Sequence, residues 1–164
     1  MSASEPCIVA IDPGLTGAIA FIFPSTPERV AVEDMPVCDG EVDVAALVSR
    51  IRQMGPTHAI VELVGPMPTD GAVPAFRFGA AYAAAKAAVT VCEVPMRLVT
   101  PNKWKAAFRL KGKKDGGAEQ ARALALQSFP ACASTFSRKK DHNRAEAALI
   151  ALYGVNTRQT GGAP

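Results

Sequence analysis

The stretch CIVAIDPGLTGAIAFIF, residues 7–23, holds two apolar runs, a single acid and no base. CIVAID at 7–12 reads as a strand that ends in Asp12. Residues 13–17, PGLTG, make a tight turn marked by Gly14 and Gly17. GAIAFIF at 17–23 is the returning strand, and RVAVEDM at 29–35 is a third. Three short strands joined by short turns predict an antiparallel meander.

The pattern then changes to helix. Asp43 is placed to cap a segment in which Val44, Leu47, Val48, Ile51 and Met54 recur at helical spacing, closed by Gly55-Pro56. HAIVELV at 58–64 is apolar nearly throughout and predicts a strand buried on both faces. A turn-rich loop from Gly65 to Val73 leads into an Ala-rich helix over 75–89. CEVPMRLVT at 92–100 is the fifth strand, and Pro95 makes it an edge. Thr100-Pro101 is a helix start, with Thr as cap and Pro in the first turn. A short helix over 103–108, a Lys/Gly loop over 109–117 and helices at 118–128 and 142–153 complete the chain. The expected fold class is α/β: a five-stranded mixed sheet, with a three-strand antiparallel meander and two parallel strands, flanked by helices. This is the ribonuclease H-like topology. One domain is expected over 1–158, followed by a flexible tail at 159–164.

Length and composition agree. The chain has 164 residues, 49% hydrophobic and 20% charged, which suits one globular domain and excludes a disordered chain. No apolar run reaches the roughly 18 residues of a membrane span, and no secretory signal is evident, so a cytoplasmic or organellar protein with no membrane partner is expected. Cys7, Cys38, Cys92 and Cys132 form no C-x-x-C pair, which points to reduced thiols rather than a zinc site. The net charge of +3 conceals a split. Residues 1–96 carry five Lys/Arg against eleven Asp/Glu, a balance of −6, and residues 97–164 carry thirteen against four, a balance of +9. A basic second half suits a polyanion partner.

Asp12 ends the first strand and Glu62 lies near the end of the fourth. If those strands pair in parallel, both carboxylates meet at one rim, where open α/β sheets place their sites. Ionised carboxylates in apolar strands need a partner, and residues 1–22 contain no base. Divalent Mg²⁺ takes hard oxygen ligands and satisfies such a pair. In KKDHNRAEAALIALYG, residues 139–154, Asp141 is a helix cap, while His142 and Glu146, four apart, share a helix face. A capped surface helix with Glu146 in solvent is the alternative for that segment.

Four blocks together resemble a known family: AIDPGLTGAIA at 10–20, IVELVGPMP at 60–68, VTPNKWKAAF at 99–108 and KKDHNRAEAALIALYG at 139–154. In this order and spacing they look like the RuvC-type Holliday junction resolvases, closest to the phage and chloroplast branch. The resemblance runs from about residue 7 to residue 154. It implies a homodimeric, Mg²⁺-dependent crossover junction endodeoxyribonuclease that nicks four-way DNA junctions in symmetric pairs, with two Mg²⁺ per site and Mn²⁺ as a substitute. By position it implies Asp12, Glu62 and Glu146 as catalytic acids and metal ligands. Where the classical enzymes carry an acid or a His three residues before the last acid, this chain has Asn143. The fourth ligand stays open between Asp141 and His142, the latter also a catalytic candidate. For two-metal hydrolysis, Asp12 is assigned the bridging position because it lies at the centre of the proposed rim, and Glu62 the nucleophile side.

Lys103, Lys105, Arg109, Lys111, Lys113, Lys114, Arg138, Lys139, Lys140 and Arg144 are the expected phosphate contacts. Met67, Phe76 and Phe78, in and just after the loop that follows Glu62, are candidates to probe the branch point, although taken singly the two Phe are expected as helix anchors. Trp104 is expected beneath the basic helix. The Ala-rich stretch 80–88 is the candidate dimer face. A same-fold nuclease for other branched or hybrid nucleic acids, or an inactive junction-binding protein, are the competing readings. A two-domain sugar-kinase-like ATPase is excluded by length and by the lack of G-x-x-x-x-G-K-[ST].

Overall fold

The computed structural model of the chain describes residues 5–160. Strands β1 (Ile8–Asp12), β2 (Ala18–Ile22) and β3 (Val30–Asp34) form the meander. A small hairpin, β4 (Val37–Cys38) and β5 (Glu41–Val42), precedes helix α1 (Val44–Met54). Then come β6 (His58–Glu62), α2 (Ala72–Val91), β7 (Met96–Val99), α3 (Pro101–Ala107), α4 (Gly117–Ser128) and α5 (His142–Thr160). Single 3₁₀ segments occupy Lys113–Asp115, Pro130–Phe136 and Lys139–Asp141.

The sheet order is β3-β2-β1-β6-β7, with β1 antiparallel to β2 and parallel to β6, and β6 parallel to β7. The five-stranded mixed sheet flanked by helices is therefore as expected from the sequence. β1 is the middle strand, while β6 lies one place in from the β7 edge. All five residues of β1 and of β2 are buried, which is why both read as continuous apolar runs.

Side-chain alternation along the strands divides the core in two. On one face Ile8, Ala10, Ala18, Ala20, Ile22 and Ile60 pack against α3, α4 and α5 through Trp104, Ala121, Ala125, Leu149 and Ile150. On the other, Val9, Ile11, Ile19, Phe21 and Val61 pack against α1 and α2 through Leu47, Ile51, Ala81, Ala85 and Val89. Asp43 caps α1 by accepting from the Ala46 amide at 2.9 Å, and Gly55 ends it at φ 58°.

Several elements differ from the sequence reading, among them β7, which spans only Met96–Val99 of the expected 92–100, and α3, which spans Pro101–Ala107 instead of 103–108. α2 begins at Ala72, inside the segment assigned to a loop, and runs to Val91. The β4–β5 hairpin was not expected. Its Asp39-Gly40 turn has φ of 51° and 79°, the pair of left-handed residues that a two-residue hairpin turn requires. Finally, α5 continues to Thr160, so Gln159 and Thr160 belong to a helix and not to a tail, while 161–164 lie outside the described residues. Among the described residues no helix is long and apolar enough to cross a membrane.

The β1–β2 turn is tightly built. Gly17 donates its amide to the Gly14 carbonyl at 3.0 Å and accepts from the Met35 amide at 2.9 Å. A Cβ on Gly17 would lie 2.1 Å from the Asp12 carbonyl oxygen. Gly17→Ala is expected to destabilise the protein by about 3 kcal/mol, because backbone rather than a flexible side chain must move. Urea unfolding with an unchanged m-value and a lower midpoint is the expected result.

Candidate active site

Ile11 pairs beside Val61 in the parallel β1–β6 ladder. The next residue on each strand is an acid, so Asp12 and Glu62 end the two strands side by side. Their neighbours two residues back, Ala10 and Ile60, belong to the core on the α5 side. Alternation therefore sends both carboxylates to that side. α5 lies across β1 and β2 there and brings Glu146 to the same place. Asp12, Glu62 and Glu146 are 7%, 6% and 8% exposed, and all three line one cleft of about 930 Å³.

Helix α3 supplies partners to two of these acids from adjacent positions. The Trp104 indole Nε1–H donates to Glu62 Oε1 at 2.7 Å, and Trp104 is fully buried. Lys105 Nζ lies 3.0 Å from Glu146 Oε1, with both side chains mostly buried. Thr100 starts α3 by accepting from the Lys103 amide, with Pro101 in the first turn. Opposite, Asn143 Nδ2 donates to the Thr16 carbonyl at 2.6 Å, which ties the start of α5 to the β1–β2 turn.

The sequence candidates separate clearly in space. Asn143 lines the cleft with the three acids, whereas Asp141 and His142 are not among the described residues that do. Asp141 is buried, and Arg138 holds both of its oxygens, through the backbone amide at 2.8 Å and the guanidinium at 2.8 and 3.0 Å. This is a capping arrangement before α5, the cap expected from the sequence. His142 is half-buried at the first position of α5.

Of the basic set, Lys105 and Lys114 line the cleft, joined by Arg77 from α2. Lys103, Arg109, Lys111, Lys139 and Lys140 are exposed outside it. The side chain of Lys113 lies outside the described residues. Arg138 and Arg144 are engaged, the first with Asp141 and the second in a two-toothed pair with Asp34 at 2.6 and 2.7 Å. In the apolar trio, Met67 and Phe78 line the cleft, and Phe78 packs against Gly14. Phe76 is 79% exposed on α2, so it does not anchor that helix in the core.

The donor set is hard carboxylate oxygen, which fits Mg²⁺ or Mn²⁺. As the side chains stand, no three His, Cys, Asp or Glu among the described residues are grouped closely enough to hold a metal ion. Lys105 already neutralises Glu146 through Oε1.

Comparisons with known proteins place the fold. No family profile matches the chain, and no curated protein matches it by sequence. Solved structures do. The RuvC of T. thermophilus in complex with a Holliday junction substrate superposes with a TM-score of 0.63 at 18% identity, over 96% of this chain and 98% of that one. A further Thermus thermophilus RuvC structure gives 0.54 at 17% identity, over 94% and 96%. The yeast mitochondrial Holliday junction resolvase Ydc2 gives 0.48 at 11% identity, over 96% and 85%. The chain thus has the RuvC fold over nearly its whole length.

The capping role of Asp141 has a direct test. Burial opposes its ionisation, yet hydrogen bonds and charge from Arg138 more than offset this and hold the carboxyl below its ordinary 3.8. A lowered folded value means stabilisation that is present above 3.8 and lost as pH falls through the folded value. Asp141→Asn is expected to cost about 1–2 kcal/mol at neutral pH, a gap that closes in acid, while divalent-ion affinity stays unchanged. Denaturation between pH 2 and 7, with Mn²⁺ titration at pH 7, checks both halves.

Proposed function

We propose that this chain is a structure-selective endodeoxyribonuclease that resolves four-way DNA junctions, a member of the RuvC-type resolvases. The observation that carries the reading is the meeting of Asp12, Glu62 and Glu146, from three separate elements, in one cleft bordered by Lys105, Lys114 and Arg77. The T. thermophilus structure that shares the fold holds a Holliday junction, which supports the same substrate here.

In this reading Asp12, Glu62 and Glu146 hold the divalent cations. Mg²⁺, when bound, supplies an activated water and charge stabilisation for phosphodiester hydrolysis. Lys114 and Arg77 hold phosphate oxygens beside the acids, and the exposed Lys103 of α3, Lys139 and Lys140 extend the track for the DNA arms. Met67 and Phe78 close the cleft with apolar surface on the side where a base would leave the stack. Lys105 gives its charge to Glu146 until cation and phosphate arrive.

Two symmetric nicks in a two-fold substrate call for two sites, and hence a C2 homodimer. Ala80, Ala83 and Ala87 share the outer face of α2 and are exposed, which permits close approach of a second α2. The alternative substrates, RNA–DNA hybrids and other branched DNAs, are control arms of the same assay.

A synthetic four-way junction with Mg²⁺ is expected to yield paired symmetric nicks, with little cleavage of linear duplex or hybrid. Asp12→Asn should lower the rate by about 10³-fold or more while junction binding persists. Equal cleavage of linear duplex would remove the junction selectivity, and full activity of Asp12→Asn would remove the site.

A further inference from the structure

The Trp104–Glu62 bond has no counterpart in the charge-based description of the cleft. Trp104 is the chain's only tryptophan and is fully buried in the core between the sheet and α5. An indole N–H is a donor only, and a buried one must find an acceptor. Its acceptor here is Oε1 of a carboxylate that faces the cleft, at 2.7 Å. Leu or Phe would fill a purely apolar position without bringing a donor. A carboxylate offers about four lone-pair sites, so a bond from the indole to Oε1 does not by itself exclude a cation. The ring has no room to swing away, because it is fully buried in the close-packed core.

We propose that Trp104 is a positioning residue: its N–H fixes the rotamer of Glu62 and thereby sets the affinity of the cleft for a divalent cation. The inference rests on the reading that Glu62 is a cation ligand. Such partners of a ligand typically change metal affinity by ~10–100-fold when removed. Trp104 also places an indole chromophore against the site, so that a paramagnetic ion bound by Glu62 quenches its emission.

The test uses the full-length protein and Mn²⁺ alone. Free Mn²⁺ is measured by electron paramagnetic resonance during titration of wild type, Asp12→Asn, Trp104→Phe, and a variant carrying 3-benzothienylalanine at position 104. The last keeps the shape of the ring and replaces N–H by sulfur, so it separates the bond from the packing even where Trp104→Phe folds poorly. The expected result is wild-type binding that is lost in Asp12→Asn and weakened about tenfold in the benzothienyl variant, with its unfolding midpoint close to wild type. Wild-type emission should fall in step with Mn²⁺ binding. Equal Mn²⁺ affinity in wild type and the benzothienyl variant overturns the positioning role and leaves the cation site standing. Failure of wild type to bind Mn²⁺, or undiminished binding by Asp12→Asn, overturns the cation site and this inference together.

Discussion

The parallel pairing of β1 with β6 at the middle of the sheet is the constraint on which the rest depends. It ends two apolar strands on adjacent carboxylates, Asp12 and Glu62, each more than nine-tenths buried. Taking such charges out of water costs several kcal/mol each, so the fold must surround them with donors and cations. The elements that follow in the chain serve that need. α3 brings Trp104 to Glu62 and Lys105 to Glu146, and α5 brings Asn143 to the β1–β2 turn. The electrostatics of the cleft and the packing of one whole side of the sheet are thus the same problem.

Lys105 makes this arrangement adjustable. A mostly buried ion pair holds Glu146, and in the proposed site a divalent cation would take over the charge that Lys105 supplies there. As the side chains stand, the three acids line one cleft without being grouped tightly enough to chelate an ion.

Much of the fold was legible because β1, β2 and β6 are buried along their length and so are written as continuous apolar runs. Helix starts at Asp43 and Thr100 were legible because cap chemistry is local. The β4–β5 hairpin escaped because two-residue strands carry no period, although its Asp-Gly turn was a usable signal. The family resemblance alone singled out Glu146, whereas Asp12 and Glu62 could be picked out by their positions at strand ends. The Trp104–Glu62 bond could not, since 42 residues separate the partners and nothing in spacing links them. Asp141 was legible as a cap but stayed open as a ligand, because a capping acid and a metal-binding acid look alike in sequence; the fold shows Arg138 folded back onto it. Asn143 was treated as a gap in the expected pattern, and it is the neighbour that actually faces the cleft.

Anomalous diffraction from a Mn²⁺-soaked crystal tests the central claim most directly. The account predicts manganese peaks in the cleft, bound by carboxylate oxygens of Asp12, Glu62 and Glu146, with Lys105 withdrawn from Glu146. A cleft free of manganese at saturating concentration, with the Lys105–Glu146 pair intact, would contradict it.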